Sequence, residues 1–259
     1  MNYSIEAKYK VQSRYGSKGC QVKYYRNNFW YKVDGICNEG INEHVASLIL
    51  KHSNFNNYVR YSVCKVNNKP ACRSKNFLQE NEVFKTVGSI LQSLYGVTKA
   101  EDYLWAEQDF SKRFNILVNS VLEYTGGQVN ITLMLQQIFY FDMLILNRDR
   151  HLDNLGIIVN TQNKEFKLAP IFDNGLSLLG GCQGDVYQNG IEYAVSQQSA
   201  RTISGSFYQQ ALTSTNGQWK SPIKINFDSL FSELKKENTS KYIMNVLAYQ
   251  YKNIGKLYQ

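Results

Sequence analysis

The spacing of apolar residues changes near residue 80, and this change constrains the fold more than any other feature of the 259-residue chain. Residues 1–79 hold short runs of β-branched and aromatic residues separated by turns, the pattern typical of strands. Residues 80–259 hold apolar residues three and four positions apart, the pattern typical of helices. We therefore predict an α+β fold with a small strand-rich N-terminal lobe, a larger helical C-terminal lobe and a ligand-binding cleft between them.

Three strands and one helix are expected in the N-terminal lobe. Residues 20–28 and 29–35 predict two strands, and Asn27-Asn28 fits the hairpin turn between them. Residues 58–66 predict the next strand, and a turn is expected over 67–70. The apolar residues of 42–51 fall on one face, which predicts a helix there.

The C-terminal lobe is expected to begin with three helical segments. The first starts at residue 80, and the second covers 103–124 and ends at Gly126-Gly127. The third runs from a cap at Asn130 to about residue 146. It is apolar nearly all round, so we expect it at the centre of a core.

A hairpin and a less regular region are expected after these helices. The runs 155–160 and 165–173 predict the two strands of the hairpin. Residues 176–220 show little periodicity and predict an irregular loop with one short helix. Residues 227–257 again predict helix, with Ile243, Leu247 and Ile254 facing inward.

Acidic and amide side chains follow the most apolar helix and its hairpin. Asp149 and Asn154 lie in the loop after the helix, and Asp173 ends the second strand of the hairpin. These positions can converge, and their oxygen atoms suit Mg²⁺. Phosphoryl transfer needs a carboxylate that orients the attacking hydroxyl and oxygen ligands that hold the metal. Asp and Asn are also common turn residues, but N-R-D-R-H-x-x-N followed by F-D-N-G is a specific signal.

Three more polar residues are interpreted as supporting this motif. Asp142 lies in the apolar helix, and because a buried carboxylate must find donors we expect it to hold amides of the following loop. Arg150 can pair with a carboxylate or a phosphate. His151 is expected to support the loop by hydrogen bonding.

These motifs resemble those of the HipA-like serine/threonine kinases, and more closely those of the shorter CtkA-like members. D-R-H-x-x-N followed by D-N-G also occurs in this order in phosphoinositide-3-kinase-like enzymes. Upstream, residues 29–34 are similar to the family's strand with the ATP lysine, 41–46 to its glutamate-bearing helix and 72–78 to the stretch after its hinge. The resemblance covers roughly residues 10–180. It implies a protein-kinase-like fold with ATP in the cleft.

The resemblance also implies a role for each site residue. Lys32 would contact the nucleotide phosphates, and Glu43 would hold Lys32 by an ion pair. Asp149 would be the catalytic base, while Asn154 and Asp173 would bind Mg²⁺. The phosphate-covering loop would be Gly16, Ser17, Lys18 and Gly19, and the hinge that meets adenine would be Tyr58, Val59, Arg60 and Tyr61.

The implied cofactors are ATP and Mg²⁺, and the implied substrate is a protein with a serine or threonine acceptor. HipA-like kinases can inactivate themselves by phosphorylating a loop serine, for which Ser17 is the matching candidate. Full-length HipA proteins carry an additional N-terminal subdomain, for which this chain has no room before Lys32. In some systems a separate chain supplies that part, so a partner of the antitoxin type is a hypothesis.

Composition restricts the classes of protein that remain. A hydrophobic fraction of 43% and a charged fraction of 19% exclude disordered and collagen-like chains. No apolar run is long enough to span a membrane, and the N-terminus lacks the apolar core of a signal peptide. Five cysteines without C-x-x-C spacing predict reduced thiols in the cytoplasm.

Two alternatives to a protein kinase stay open. The same catalytic parts would serve a lipid or small-molecule kinase, and the net charge of +8 would suit an anionic surface. The second alternative is a non-catalytic binding module, either a pseudokinase or a nucleic-acid binder. No nucleic-acid-binding motif is evident, and every polar position expected of a kinase is filled.

Overall fold

The structure, a computed structural model, describes residues 1–11, 21–218 and 222–257, with side chains described as far as residue 254. The chain divides into two compact units. Unit 1 consists of Met1–Phe77, Phe172–Gln198 and Lys224–Ile254, and unit 2 of Leu78–Ile171, Ser199–Ile223 and the chain from Gly255. The chain first passes from unit 1 to unit 2 between Phe77 and Leu78, close to the lobe boundary that the sequence predicts at residue 79. The later segments alternate between the units, whereas the sequence assigns all of 80–259 to one lobe.

The described residues form eight strands and nine α-helices. The strands are β1 Asn2–Tyr3, β2 Lys23–Arg26, β3 Phe29–Val33, β4 Tyr61–Val66, β5 Lys69–Lys75, β6 Glu82–Thr86, β7 Gly156–Asn160 and β8 Phe166–Leu168. The helices are α1 Glu39–Lys51, α2 Val87–Tyr95, α3 Ala100–Ala106, α4 Phe110–Tyr124, α5 Thr132–Ile145, α6 Gln183–Ser196, α7 Phe207–Ser214, α8 Phe227–Lys236 and α9 Lys241–Leu257.

Unit 1 is built on a five-stranded sheet in the order β1-β4-β5-β3-β2, with a parallel β1–β4 pair and antiparallel pairs elsewhere. The predicted hairpin turn at Asn27-Asn28 is confirmed, with the positive φ values of 52° and 64° that a type I′ turn requires. The turn predicted over 67–70 is shorter, because Asn67-Asn68 forms it and β5 starts at Lys69. Strand β5 was missed because Pro70 and three basic residues interrupt its apolar pattern.

Helix α1 packs on β4 and β5 and confirms the helix predicted over 42–51. It starts earlier than predicted, at Glu39, where the Gly40 N–H donates to Asp34 Oδ1 at 2.8 Å. That bond satisfies one of the amides that the first turn of a helix leaves unpaired.

Helices α8 and α9 confirm the helical prediction for 227–257, with a break at 237–240. Helix α8 belongs to unit 1, where ion pairs join it to the end of α1. The Lys51 Nζ atom lies 2.6 Å from Glu233 Oε1, and His52 contacts the same carboxylate. The residues of α9 that were predicted to face inward are buried: Ile243, Leu247 and Ile254.

Unit 2 contains an antiparallel sheet in the order β6-β7-β8. The predicted hairpin is confirmed as β7 and β8. The prediction of helix from residue 80 onward is wrong for Glu82–Thr86, which forms β6 and pairs with β7. Val83 and Val87 have helical spacing, but pairing with a neighbouring strand outweighs that local pattern. Helix α2 follows at once, capped by the Thr86 hydroxyl, which accepts from the Ser89 N–H at 2.9 Å.

Helix α5 lies in the core of unit 2, as predicted, since ten of its fourteen residues are buried. The cap residue is Ile131 rather than the predicted Asn130, although Asn130 Oδ1 accepts from the Thr132 N–H at 2.8 Å. The helix predicted over 103–124 is instead two helices, α3 and α4. They separate before Asp109, whose Oδ1 accepts from the Lys112 N–H at 2.9 Å and caps α4.

The prediction of an irregular loop over 176–220 is wrong, because helices α6 and α7 lie within these residues. Helix α6 buries Ala194 alone among its residues and is kinked at Gly190. An apolar periodicity marks a buried face rather than a helix as such, so a helix this exposed leaves no pattern in the sequence. No helix within the described ranges is both long and apolar enough to cross a membrane.

Candidate functional site

A buried lysine in unit 1 lies between two carboxylates. The Lys32 Nζ atom is 2.6 Å from Glu43 Oε1 and 2.6 Å from Asp173 Oδ1. Lys32 and Glu43 are 8% and 1% exposed. The ion pair that the resemblance implies between Lys32 and Glu43 is therefore present. Asp173 is a second partner of Lys32 that the sequence analysis did not predict.

The alternation of β3 explains why this ammonium group is buried. Tyr31 and Val33 point to one side of the strand, into a cluster with Ile5, Cys64, Val66 and Ala71. Lys32 therefore points to the other side, toward α1. A charge in that position is tolerated only with charged partners, and Glu43 on α1 supplies the first of them.

The charges around Lys32 set its protonation. Burial alone would lower the pKa of the Lys32 ammonium, but Asp173 and Glu43 more than offset this effect and raise that pKa well above its ordinary value. The ammonium group is therefore charged at neutral pH. Burial raises the pKa of the Glu43 carboxyl, and the charge of Lys32 opposes that rise. We call this cluster of Lys32, Glu43 and Asp173 the lysine triad.

The segment that carries Asp173 is fixed onto α1. The Asn174 N–H donates to Glu43 Oε2 at 2.8 Å, and Asn42 Nδ2 donates to the Gly175 carbonyl at 2.9 Å. Asp173 itself has a φ of 59°, a conformation that Asp tolerates better than most residues. A Cβ at Gly175 would lie 3.0 Å from the Glu39 Cβ, so this close approach favours glycine.

In unit 2, a buried ion pair supports the loop after α5. The Arg150 Nε and Nη2 atoms lie 3.0 Å from Asp142 Oδ2 and Oδ1, and both side chains are almost fully buried. Asn147 Nδ2 also donates to Asp142 Oδ1, at 3.2 Å. Asp142 thus holds two side chains of the loop, where the sequence analysis expected loop amides. Burial raises the pKa of Asp142, and the charge of Arg150 opposes that rise.

Hydrogen bonds orient the loop residues that the sequence singled out. Asn154 Nδ2 donates to the Asp149 carbonyl at 3.0 Å, which leaves Asn154 Oδ1 buried without a donor among the described residues. An orphaned carboxamide oxygen of this kind fits a metal ligand. His151 Nδ1 accepts from the Asp153 N–H at 3.2 Å, a hydrogen bond within the loop.

The carboxylate of Asp149 has a partner that the sequence analysis missed. Arg201 Nη1 lies 2.6 Å from Asp149 Oδ1, and the Asp149 side chain is 28% exposed. Arg201 belongs to the stretch predicted as an irregular loop, where no periodicity or motif singles out one arginine.

A further group of metal-ligating types occurs in unit 2. Ligand atoms of Glu101, His151 and Asp153 lie within 4.8 Å of one another. Hydrogen bonds already engage this group, since Asp153 Oδ1 accepts from the Thr86 hydroxyl at 3.0 Å and His151 Nδ1 accepts from a backbone amide. We therefore assign no metal to it.

The phosphate-covering loop and the hinge segment are the two remaining parts of the predicted ATP site. Gly16, Ser17, Lys18 and Gly19 lie outside the described residues. The segment Tyr58–Tyr61 leads into β4 and does not connect the units, because the chain first passes from unit 1 to unit 2 at Phe77–Leu78. Tyr61 nevertheless lies beside the lysine triad, with Lys32 Nζ 5.3 Å from its ring centroid.

Comparison with solved structures identifies the fold. The proinflammatory kinase CtkA of Helicobacter pylori matches with a TM-score of 0.63 and 16% identity, over 91% of this chain and 90% of that chain. This likeness confirms the predicted α+β kinase-like fold and, at the level of fold, the resemblance to CtkA-like proteins. The complex of HipA, HipB and operator DNA from Shewanella oneidensis MR-1 matches with a TM-score of 0.45 and 14% identity, over 96% of this chain and 59% of that chain.

Searches by sequence give no further relatives. A scan against models of protein families finds no match. A search of curated proteins finds none either.

Proposed function

We propose that this chain is an ATP- and Mg²⁺-dependent kinase that phosphorylates serine or threonine hydroxyls of a protein. The observation that carries the proposal is the lysine triad. In protein kinases a strand lysine binds the nucleotide phosphates, a helix glutamate holds the lysine, and an aspartate holds the metal. Lys32 lies on a strand, Glu43 on a helix, and Asp173 is the corresponding aspartate. The Lys32 Nζ atom lies 2.6 Å from a carboxylate oxygen of each of the other two. The CtkA-like fold supports the same assignment.

Asp173 and Asn154 are the proposed ligands of Mg²⁺, which would neutralise charge on the phosphates when bound. The donor chemistry fits, because both residues offer oxygen and Asn154 Oδ1 is a buried acceptor without a described donor. Lys32 would donate to phosphate oxygens, and Glu43 would keep its ammonium group in place.

Asp149 is the proposed catalytic base. The acceptor oxygen attacks the γ-phosphorus, the bond to the β–γ bridging oxygen breaks, and ADP leaves. The hydroxyl proton passes to the Asp149 carboxylate. Help of this kind contributes about 10²- to 10⁴-fold in rate.

The test is transfer of label from γ-labelled ATP with Mg²⁺ to a generic protein substrate, to anionic lipid vesicles and to the chain itself. The variants are Asp149→Ala and Asp173→Ala, with Asp185→Ala as the matched control because Asp185 is an exposed aspartate of α6. We expect label on protein, lost in the first two variants and kept in the control. Equal transfer by all variants would contradict the assignment, and label on lipid alone would indicate a lipid kinase.

The resemblance adds two proposals about regulation. Ser17 is the proposed site of autophosphorylation, since phosphate there would add negative charge near incoming ATP and weaken its binding. An antitoxin-type protein in the cytoplasm is the proposed partner. Mass spectrometry after prolonged incubation with ATP and Mg²⁺ tests the first proposal, which is wrong if Ser17 stays unmodified.

A further inference from the structure

Arg201 is an exposed residue with buried neighbours on both sides. The flanking residues Ala200, Thr202 and Ile203 are at most 4% exposed, whereas the Arg201 side chain is 54% exposed. The Thr202 hydroxyl donates to the Arg150 carbonyl at 2.7 Å, and the buried Arg113 Nη1 donates to the Ile203 carbonyl at 2.8 Å. The backbone at Arg201 is therefore held by its neighbours and does not depend on the Arg201 side chain.

The same anchoring directs Arg201 at one oxygen of Asp149. Arg201 Nη1 donates to Asp149 Oδ1 at 2.6 Å. The Asp149 backbone is fixed separately, since its N–H donates to Asn147 Oδ1 at 3.1 Å and its carbonyl accepts from Asn154. Within the described ranges no hydrogen bond to Asp149 Oδ2 is found, so that oxygen can accept a hydroxyl.

The contact is suited to orienting Asp149 rather than to stabilising the fold or blocking the carboxylate. A half-exposed ion pair adds little to stability. A blocking arginine would engage both oxygens in the bidentate geometry that guanidinium groups favour, whereas here one oxygen is engaged. The remaining role is to hold the carboxylate in one rotamer, with Oδ2 presented to a substrate.

We propose that Arg201 is a positioning residue that aligns Asp149 for the acceptor hydroxyl. This inference rests on the proposed kinase function, in which Asp149 accepts the hydroxyl proton. Misplacing a catalytic group by about 1 Å can cost on the order of 100-fold in rate. Arg201 thereby joins the site from a stretch for which neither the motif nor the resemblance assigns a role.

The test compares Arg201→Ala, Arg201→Lys and the matched control Lys112→Ala, which removes one exposed positive charge from the same unit. For Arg201→Ala we expect kcat to fall roughly 10- to 100-fold while the KM for ATP stays within about twofold. Arg201→Lys should recover part of the loss, because an ammonium group can still donate to Oδ1. The midpoint of thermal unfolding should not change, because the backbone at Arg201 is anchored by its buried neighbours.

A second readout separates positioning from a direct role. If Arg201 acts through Asp149, then Asp149→Ala combined with Arg201→Ala is no slower than Asp149→Ala alone. An unchanged kcat in Arg201→Ala overturns the inference, and an increased kcat overturns it by showing that the contact is inhibitory. Absence of transfer by the unsubstituted chain overturns the kinase function as well, so the two failures are distinguishable.

Discussion

Replacing Arg150 with methionine should destabilise the protein by leaving a buried carboxylate without its charged partner. Arg150 and Asp142 are 1% and 0% exposed in their side chains, and two guanidinium nitrogens lie 3.0 Å from the carboxylate. At that distance and an effective dielectric constant of about 20, their attraction is on the order of 5 kcal/mol. Breaking a buried pair by removing one partner costs about 3–5 kcal/mol. We therefore expect the free energy of unfolding of Arg150→Met to fall by about that amount.

The loss should depend on pH in a defined direction. Burial already raises the folded-state pKa of Asp142, and removing the opposing charge of Arg150 raises it further. A carboxyl whose folded pKa lies above its unfolded value of about 3.9 destabilises the fold increasingly as pH rises through that interval. The difference between Arg150→Met and the unsubstituted protein should thus be largest near neutral pH and shrink toward about pH 4.

Urea unfolding followed by circular dichroism at several pH values measures this effect. The matched control is Lys99→Met, which breaks the exposed pair with Asp102, whose side chains are 75% and 73% exposed, and should cost less than about 1 kcal/mol. The double variant Asp142→Asn with Arg150→Met should recover part of the loss, because no buried charge remains. An Arg150→Met loss below about 1 kcal/mol, or one that does not vary with pH, would refute the reasoning.

Three further predictions concern other parts of the two units. Asn154→Ala should raise the Mg²⁺ concentration needed for half-maximal transfer, with unchanged unfolding; an unaltered Mg²⁺ dependence would show that Oδ1 is not a ligand. Gly175→Ala should lower stability by about 1–3 kcal/mol, because its methyl group would lie 3.0 Å from the Glu39 Cβ; unfolding at the same urea concentration would contradict the close approach. The hydrogen bond from Lys51 lowers the pKa of the Glu233 carboxyl. The ionised Glu233 therefore stabilises the fold above the ordinary carboxyl pKa, and this contribution is lost as pH falls through the lowered pKa. Glu233→Gln should remove this pH-dependent part of the free energy of unfolding.

The fold could be predicted from the sequence where local chemistry decides the structure. The hairpin at Asn27-Asn28 follows from the tolerance of asparagine for positive φ, and the position of α5 in the core follows from its apolar composition. Strand β6 could not be predicted, because its partner β7 lies more than 60 residues away in the chain. The spacing of Val83 and Val87 indicates a helix only while that partner is ignored.

The sequence could likewise predict some residues of the candidate site but not the contacts between them. Asp149, Asn154 and Asp173 lie in a short motif whose residue types indicate a metal-dependent reaction, so the sequence alone could propose them. The contact of Lys32 with Asp173 joins residues 141 positions apart, and the contact of Asp149 with Arg201 joins residues 52 positions apart. Contacts over such distances arise from the folded chain, and no spacing rule for strands or helices predicts them.

The central claim is that the lysine triad binds ATP together with Mg²⁺, and calorimetric titration with a non-hydrolysable ATP analogue tests it without knowledge of the acceptor. We predict binding that weakens at least about tenfold when Mg²⁺ is removed, since a tenfold change corresponds to about 1.4 kcal/mol. Binding should be lost in Lys32→Met and should lose its Mg²⁺ dependence in Asp173→Asn, while Asp185→Ala should bind as the unsubstituted protein does. Binding that is indifferent to Mg²⁺ and to both triad substitutions would contradict the claim.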